Sequence, residues 1–244
     1  MGVIVEFNGL TGCGKSTLTK EFLRSLENEN IYCEATEAGG QWNTNLVRYT
    51  HKNFRLKYIS FDWLIASVYY GFLMMIVFVF SRTQSRARRI RYLKKSLQLW
   101  LSYRIFEKEV GEGEGKNNFI LLIDEGIICS LASLIHTSTY SKKVVKKITH
   151  CLLCYKQLLI VNFEVDFEWS YQNIRNRKKG GRFDRMSDDE LSDALGSKKE
   201  LFSYIQSSVQ TSGLDCILIK SKGNIHDNAI MLREKVNERI NKKN

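Results

Sequence analysis

Near the N-terminus, Gly9-Leu10-Thr11-Gly12-Cys13-Gly14-Lys15-Ser16 fits the spacing G-x-x-x-x-G-K-[ST] without a mismatch. Glycines at these intervals let the backbone close around an anion, so that successive N–H groups and the start of a helix converge on the phosphates of a nucleotide. Lys15 is placed to reach β- and γ-phosphate oxygens, and the Ser16 hydroxyl is a ligand for Mg²⁺, with Thr17 opening the helix behind them. The chemistry implied is the binding of ATP with Mg²⁺.

A phosphate loop specifies a nucleotide and not a reaction, so the remaining chemistry must come from other residues. Asp124 follows the apolar run Phe119-Ile120-Leu121-Leu122-Ile123, where an acid reaches Mg²⁺ directly or through water. Its other reading is the N-cap of a helix starting near 126. Glu125, beside it, can hold the metal through water or accept the proton of an attacking hydroxyl. Farther on, Arg175 and Arg177 precede Gly180-Gly181, and Arg182 and Arg185 follow. This composition suits a mobile lid, over about 175–187, whose guanidinium groups close on the charge that develops during phosphoryl transfer. A solvated basic turn at a helix C-terminus is the simpler alternative.

The surrounding elements are those that such residues need. Val3–Phe7, Ile31–Thr36, Phe119–Ile123, Leu158–Phe163 and Cys216–Ile219 read as strands, mostly continuous apolar runs suited to burial on both faces of a parallel sheet. Helical patterns fall between them, at Ser16–Leu26 and near 126–137, 141–155, 166–177, 188–208 and 225–240. Ser187 to Glu190 and Ser197 to Glu200 both fit the capping box, and Gly196 is placed to end the first of the two segments. The expectation is a three-layer α/β fold of the P-loop NTPase type. It comprises a five-stranded parallel sheet with helices on both faces, formed by residues 1–244 as one domain with a helical insertion at about 45–115.

Among its 244 residues the chain has no proline and carries a net charge of +11. Hydrophobic residues make up 43% and charged residues 26%, which argues against extensive disorder. Six cysteines without a secretory signal imply reduced thiols in the cytoplasm, with Cys151 and Cys154 read as thiols on an apolar helix face rather than a zinc pair. Trp63 to Phe80 contains 18 residues and no charge, long enough for a membrane crossing to be considered. A single crossing would put the Gly12–Ser16 loop and Asp124 on opposite sides of a bilayer, although one nucleotide needs both. Burial in the core is the simpler reading of the run. The other is peripheral contact, through about 63–95, with an anionic membrane that Arg82, Arg86, Arg88, Arg89, Arg91, Lys94 and Lys95 would face. Tyr92 is the one aromatic residue among these cations, which argues against a nucleic-acid platform.

The segments "VEFNGLTGCGKSTLTKEFLRSL", "ATEAGG", "LLIDEG" and the arginine loop running into "FDRMSDDEL" resemble the thymidylate kinase group of the P-loop nucleotide kinases. The resemblance covers most of the chain outside 45–115. It implies that Lys15 and Ser16 serve ATP-Mg²⁺, that Glu37 approaches the acceptor or the metal, that Asp124 is the metal-side acid, and that Arg175, Arg177 and Arg182 close over the phosphates. Two family arginines that face an acceptor phosphate are missing. Ala35-Thr36-Glu37-Ala38-Gly39-Gly40 stands where the family has Thr-Arg-Glu-Pro-Gly-Gly, and Asp124-Glu125-Gly126 where it has Asp-Arg-Tyr. A carboxylate in place of a cation repels a nucleoside monophosphate, and fits a small-molecule acceptor that offers a hydroxyl instead. A nucleoside monophosphate kinase with compensating cations from the insertion is the second reading. A nucleotide-binding ATPase coupled to a membrane or nucleic acid is the third.

Overall fold

A computed structural model describes residues 2–26, 31–36, 59–80, 85–112, 118–135, 141–177 and 183–241. The predicted Glu37 and Arg182, the Gly180-Gly181 hinge and the first part of the insertion lie outside the described residues. Five parallel strands, β1 (Gly2–Asn8), β2 (Ile31–Thr36), β3 (Asn118–Ile123), β4 (Leu158–Phe163) and β5 (Cys216–Ile219), are ordered β2-β3-β1-β4-β5. β1 is therefore central, between β3 and β4, and the loops leaving all three strands open at one edge of the sheet. Ligands of open α/β sheets bind at that carboxyl edge, where the strand order reverses.

The apolar runs alternate between two cores, as a strand's period of two requires. Val3, Val5 and Phe7 join Ile120, Leu122, Leu159 and Val161 on one face, covered by α1 (Lys15–Ser25) and α8 (Ile225–Asn241) through Leu18, Phe22, Leu232 and Val236. Ile4, Leu121, Ile123, Leu158 and Ile160 face the other way. There they meet α3 (Arg86–Glu112), α4 (Ile127–Leu134), α5 (Ser141–Cys151) and α7 (Asp188–Ser212). α6 (Phe167–Asn176) packs on the start of α7 through Ile174, Leu191 and Leu195.

α7 corrects one expectation. The capping box at Ser187 forms, with Glu190 N–H donating to Ser187 Oγ at 3.2 Å and Ser187 N–H donating to Glu190 Oε2 at 2.9 Å. The helix then continues through Gly196 to Ser212, and the Ser197 hydroxyl donates back to Ala194 O instead of capping a new segment. A glycine inside a helix costs about 1 kcal/mol relative to alanine. The continuous apolar face of Leu191, Leu195, Phe202, Ile205 and Val209 outweighs that cost, because each large side chain buried contributes about 1.5–3 kcal/mol.

The uncharged run lies in α2 (Phe61–Phe80), and only one side of it is core. Trp63, Tyr70, Leu73, Met74 and Val77 are buried against the domain, where the Tyr70 and Trp100 rings stack with centroids 4.1 Å apart. The opposite face is exposed, and 22% of the apolar window is buried. Burial in the core, the simpler of the two readings, therefore describes one side of the run. Cys151 and Cys154 stand at and just beyond the end of α5, where burial pushes their thiols up to about 11 and about 12, so both are neutral at pH 7.

Candidate functional site

β1 ends at Asn8, and the chain turns through the glycine-rich loop into α1. Gly12 (φ 88°) and Gly14 (φ 107°) both occupy the left-handed region that side chains disfavour. A Cβ on Gly12 would also lie 2.6 Å from the Ser170 carbonyl oxygen, so α6 packs directly against the loop. Asn173 of α6 reinforces that contact, its Nδ2 donating to Gly12 O at 2.9 Å. The loop is thereby held between β1, α1 and the helix that carries the arginine segment.

Lys15 folds over this loop. Its Nζ donates to Gly9 O and Leu10 O at 2.9 Å each and lies 3.7 Å from Cys13 Sγ. Burial works against its charge, but the Cys13 and Cys129 sulfurs and the Asp124 and Glu125 carboxylates outweigh it and raise the ammonium above its ordinary value. One turn of chemistry away, the Ser16 hydroxyl donates to Asp124 Oδ2 at 3.0 Å, which joins the end of β3 to the start of α1. A hydroxyl and a buried carboxylate side by side are the hard oxygen donors that Mg²⁺ takes, so the residues present fit that ion.

Asp124 does not cap the following helix. α4 begins at Ile127 with Gly126 as N-cap and no side-chain cap from its own segment. Its amide is served from β1, because the fully buried Glu6 accepts from Ile128 N–H at 2.7 Å through Oε1 and from the Tyr103 hydroxyl at 2.7 Å through Oε2. Burial raises the Glu6 carboxyl above its ordinary value, against the lowering effect of these two donors. A Cβ at Gly126 would overlap Glu6, whose Cδ lies 2.0 Å from its ideal position. The Asp124-Glu125-Gly126 turn is thus closed from below by a carboxylate that the sequence reading passed over.

Glu125 stands beside Asp124, its side chain 45% exposed, and pairs with Lys95 Nζ at 2.9 Å. Burial opposes its charge, while Lys95 and, to a lesser extent, Lys15 and Lys198 hold its carboxyl below the usual value. Lys95 was read as one of a run of surface cations, and the structure instead buries it. A signal for this was present in the spacing, since Lys95 falls in line with Leu99, Tyr103 and Phe106 on the apolar face of α3.

Of the predicted site residues, Gly9, Leu10, Thr11, Gly12, Cys13, Gly14, Lys15, Ser16, Asp124 and Glu125 are brought together, with Thr17 exposed on the first turn of α1. Arg175 and Arg177 lie at the end of α6 and are committed elsewhere. Arg175 donates to Met186 O at 2.8 Å and pairs with Asp188 at 2.6 Å, while Arg177 Nε donates to Asp184 Oδ1 at 2.8 Å. These contacts tie the end of α6 to residues 184–188, which lead into the start of α7.

No family model matches the chain, and no curated protein matches its sequence. Among solved structures, deoxyadenosine kinase from M. mycoides with bound dATP is similar at 12% identity and TM-score 0.46, over 96% of this chain and 99% of that one. Shikimate kinase from Bacteroides thetaiotaomicron is similar at 14% identity and TM-score 0.45, over 96% and 98% of the two chains. Similarity at this level decides nothing about the chemistry, which rests on the strand order, the loop and the side chains around it.

Proposed function

We propose that this chain is an ATP- and Mg²⁺-dependent phosphotransferase of the thymidylate-kinase-like type, which moves the γ-phosphate to a hydroxyl of a small-molecule acceptor. The observation that carries the proposal is the meeting of Ser16 and Asp124 at 3.0 Å directly behind the phosphate loop. That pair and Lys15 supply, from one edge of the sheet, the donors that a triphosphate and its metal require. Ser16 and Asp124 are the residues that would hold Mg²⁺, which would supply charge compensation for the phosphates.

The remaining steps belong to the protein. Lys15 exchanges the Gly9 and Leu10 carbonyls for phosphate oxygens, and the loop amides orient the chain of phosphates for in-line attack. Glu125, kept ionised by Lys95, accepts the proton of the acceptor hydroxyl. A weak base suffices there, because the transition state of phosphoryl transfer is loose and positioning supplies most of the acceleration. Arg175, Arg177 and Arg182 would close over the transferring group after release of the Asp188 and Asp184 pairs, with Glu37 approaching the acceptor.

Lys95 also supports the second reading, a nucleoside monophosphate kinase. It is a cation from the insertion, placed where the arginines expected near an acceptor phosphate are missing. A panel of nucleosides, sugars and nucleoside monophosphates separates the two readings. Lys15→Ala tests what they share: transfer falls by orders of magnitude with the fold intact, as loss of a positioned cation requires. Undiminished transfer in that variant overturns the proposal.

A further inference from the structure

The exposed face of α2 is apolar along its whole length. Phe61, Ile65, Val68, Phe72, Met75 and Val79 are all solvent-exposed, with Phe61 at 75% and Phe72 at 62%. Their spacing of four and three places them on one stripe of a helix. The helix has 20 residues, so the stripe is about 30 Å long. This exceeds the scattered apolar exposure that any soluble surface shows. α3 adds a face of its own, on which Arg86, Ile90, Lys94 and Leu97 follow one another at helical spacing and are all exposed, with Arg91 beside them. Arg89 secures the corner between the two helices, its guanidinium lying 5.2 Å from the Phe78 ring centroid and donating to Phe78 O at 3.0 Å.

Charge decides what fits here. From Asp62 to Glu107 the sequence contains no other acid. A second copy docked through α2 and α3 would set these cations against their own kind with scarcely an acid to pair them. An anionic bilayer satisfies both features at once, taking the apolar stripe into the acyl boundary and the arginines and lysine at its phosphates. We propose that the α2–α3 face seats the protein on an anionic membrane surface, with α2 lying in the interfacial plane. It does not cross, since its other face is packed on the domain through Tyr70, Leu73 and Met74. Two modest signals acting together give the firm attachment that neither provides alone.

The test is co-sedimentation of the full chain with phosphatidylcholine vesicles, with and without phosphatidylglycerol, at low and high salt. The protein is expected to pellet with the anionic vesicles, and less so at high salt. Phe72→Glu combined with Val68→Glu should abolish pelleting without changing the circular dichroism spectrum, because both side chains are exposed. Arg86→Gln, Arg91→Gln and Lys94→Gln together should weaken it by about a hundredfold, each basic residue near an anionic surface being worth about fivefold. Absence of pelleting, equal binding to neutral vesicles, or a stable dimer that the Phe72 and Val68 substitutions dissociate each overturns the proposal. None of these readings depends on phosphoryl transfer, so the membrane proposal and the kinase proposal fail separately.

Discussion

Lys95 Nζ and Glu125 Oε2 lie 2.9 Å apart, joining the long helix α3 to the turn that carries Asp124. The same helix holds Glu6 through Tyr103, one face and two turns farther along. α3 therefore grips the Asp124-Glu125-Gly126 turn twice, once at its exposed side and once beneath it.

Removal of one partner of the first contact should be felt in the reaction more than in nucleotide binding. Glu125→Gln is expected to lower transfer at least tenfold, with affinity for a fluorescent ATP analogue changed less than twofold, as for loss of a proton acceptor. Asp124→Asn should lose both, because it removes a metal donor. Equal loss of affinity in the two variants contradicts this division.

Lys95→Met leaves Glu125 without the cation that holds its carboxyl down, so its titration moves upward. The acidic limb of the pH–rate profile should then shift to higher pH, and activity should recover toward the wild-type level as pH rises. A profile that falls uniformly at every pH would mean that Lys95 binds the acceptor itself, as a monophosphate kinase requires.

Glu6 predicts a pH dependence of stability with the opposite sign to an ordinary surface acid. Its folded carboxyl titrates above its unfolded value, so in the interval between the two the native state holds the extra proton. Stability contributed by the protonated form is complete below the unfolded value and is lost as pH rises through the folded one. Glu6→Gln abolishes that dependence. Chemical denaturation at acidic and alkaline pH should show the variant gaining on the wild type as pH rises, and a constant difference would contradict the raised titration.

Gly12 combines φ 88° with close approach to the Ser170 carbonyl. Gly12→Ala should cost about 1–2 kcal/mol for the left-handed backbone alone. It should also separate the loop from α6, which thermal unfolding and ATP-analogue affinity together would record.

The strands and most helices were legible because burial imposes a period on the sequence, and β3 and β4 are apolar but for Asn118 and Asn162. Lys15 and Ser16 were legible because the spacing of the glycine-rich loop is a local property of the chain, and Asp124 because it directly follows an apolar strand. The contacts of Lys95 and Glu6 were not, since they join residues 30 and 122 positions apart in sequence, Lys95 with Glu125 and Glu6 with Ile128. An acid within the apolar β1 and a lysine on the apolar face of α3 were the visible traces. Composition could not divide α2 into its two faces, because both are equally apolar and only packing tells them apart.

The central claim is transfer of phosphate to a small molecule, and the direct measurement follows the γ-phosphate of radiolabelled ATP in the presence of Mg²⁺ and a panel of hydroxyl and monophosphate acceptors. The account predicts a labelled small-molecule product that requires Mg²⁺ and vanishes in Lys15→Ala. ATP bound and hydrolysed to free phosphate, with no acceptor labelled across the panel, would contradict it and identify a nucleotide-driven binding protein instead.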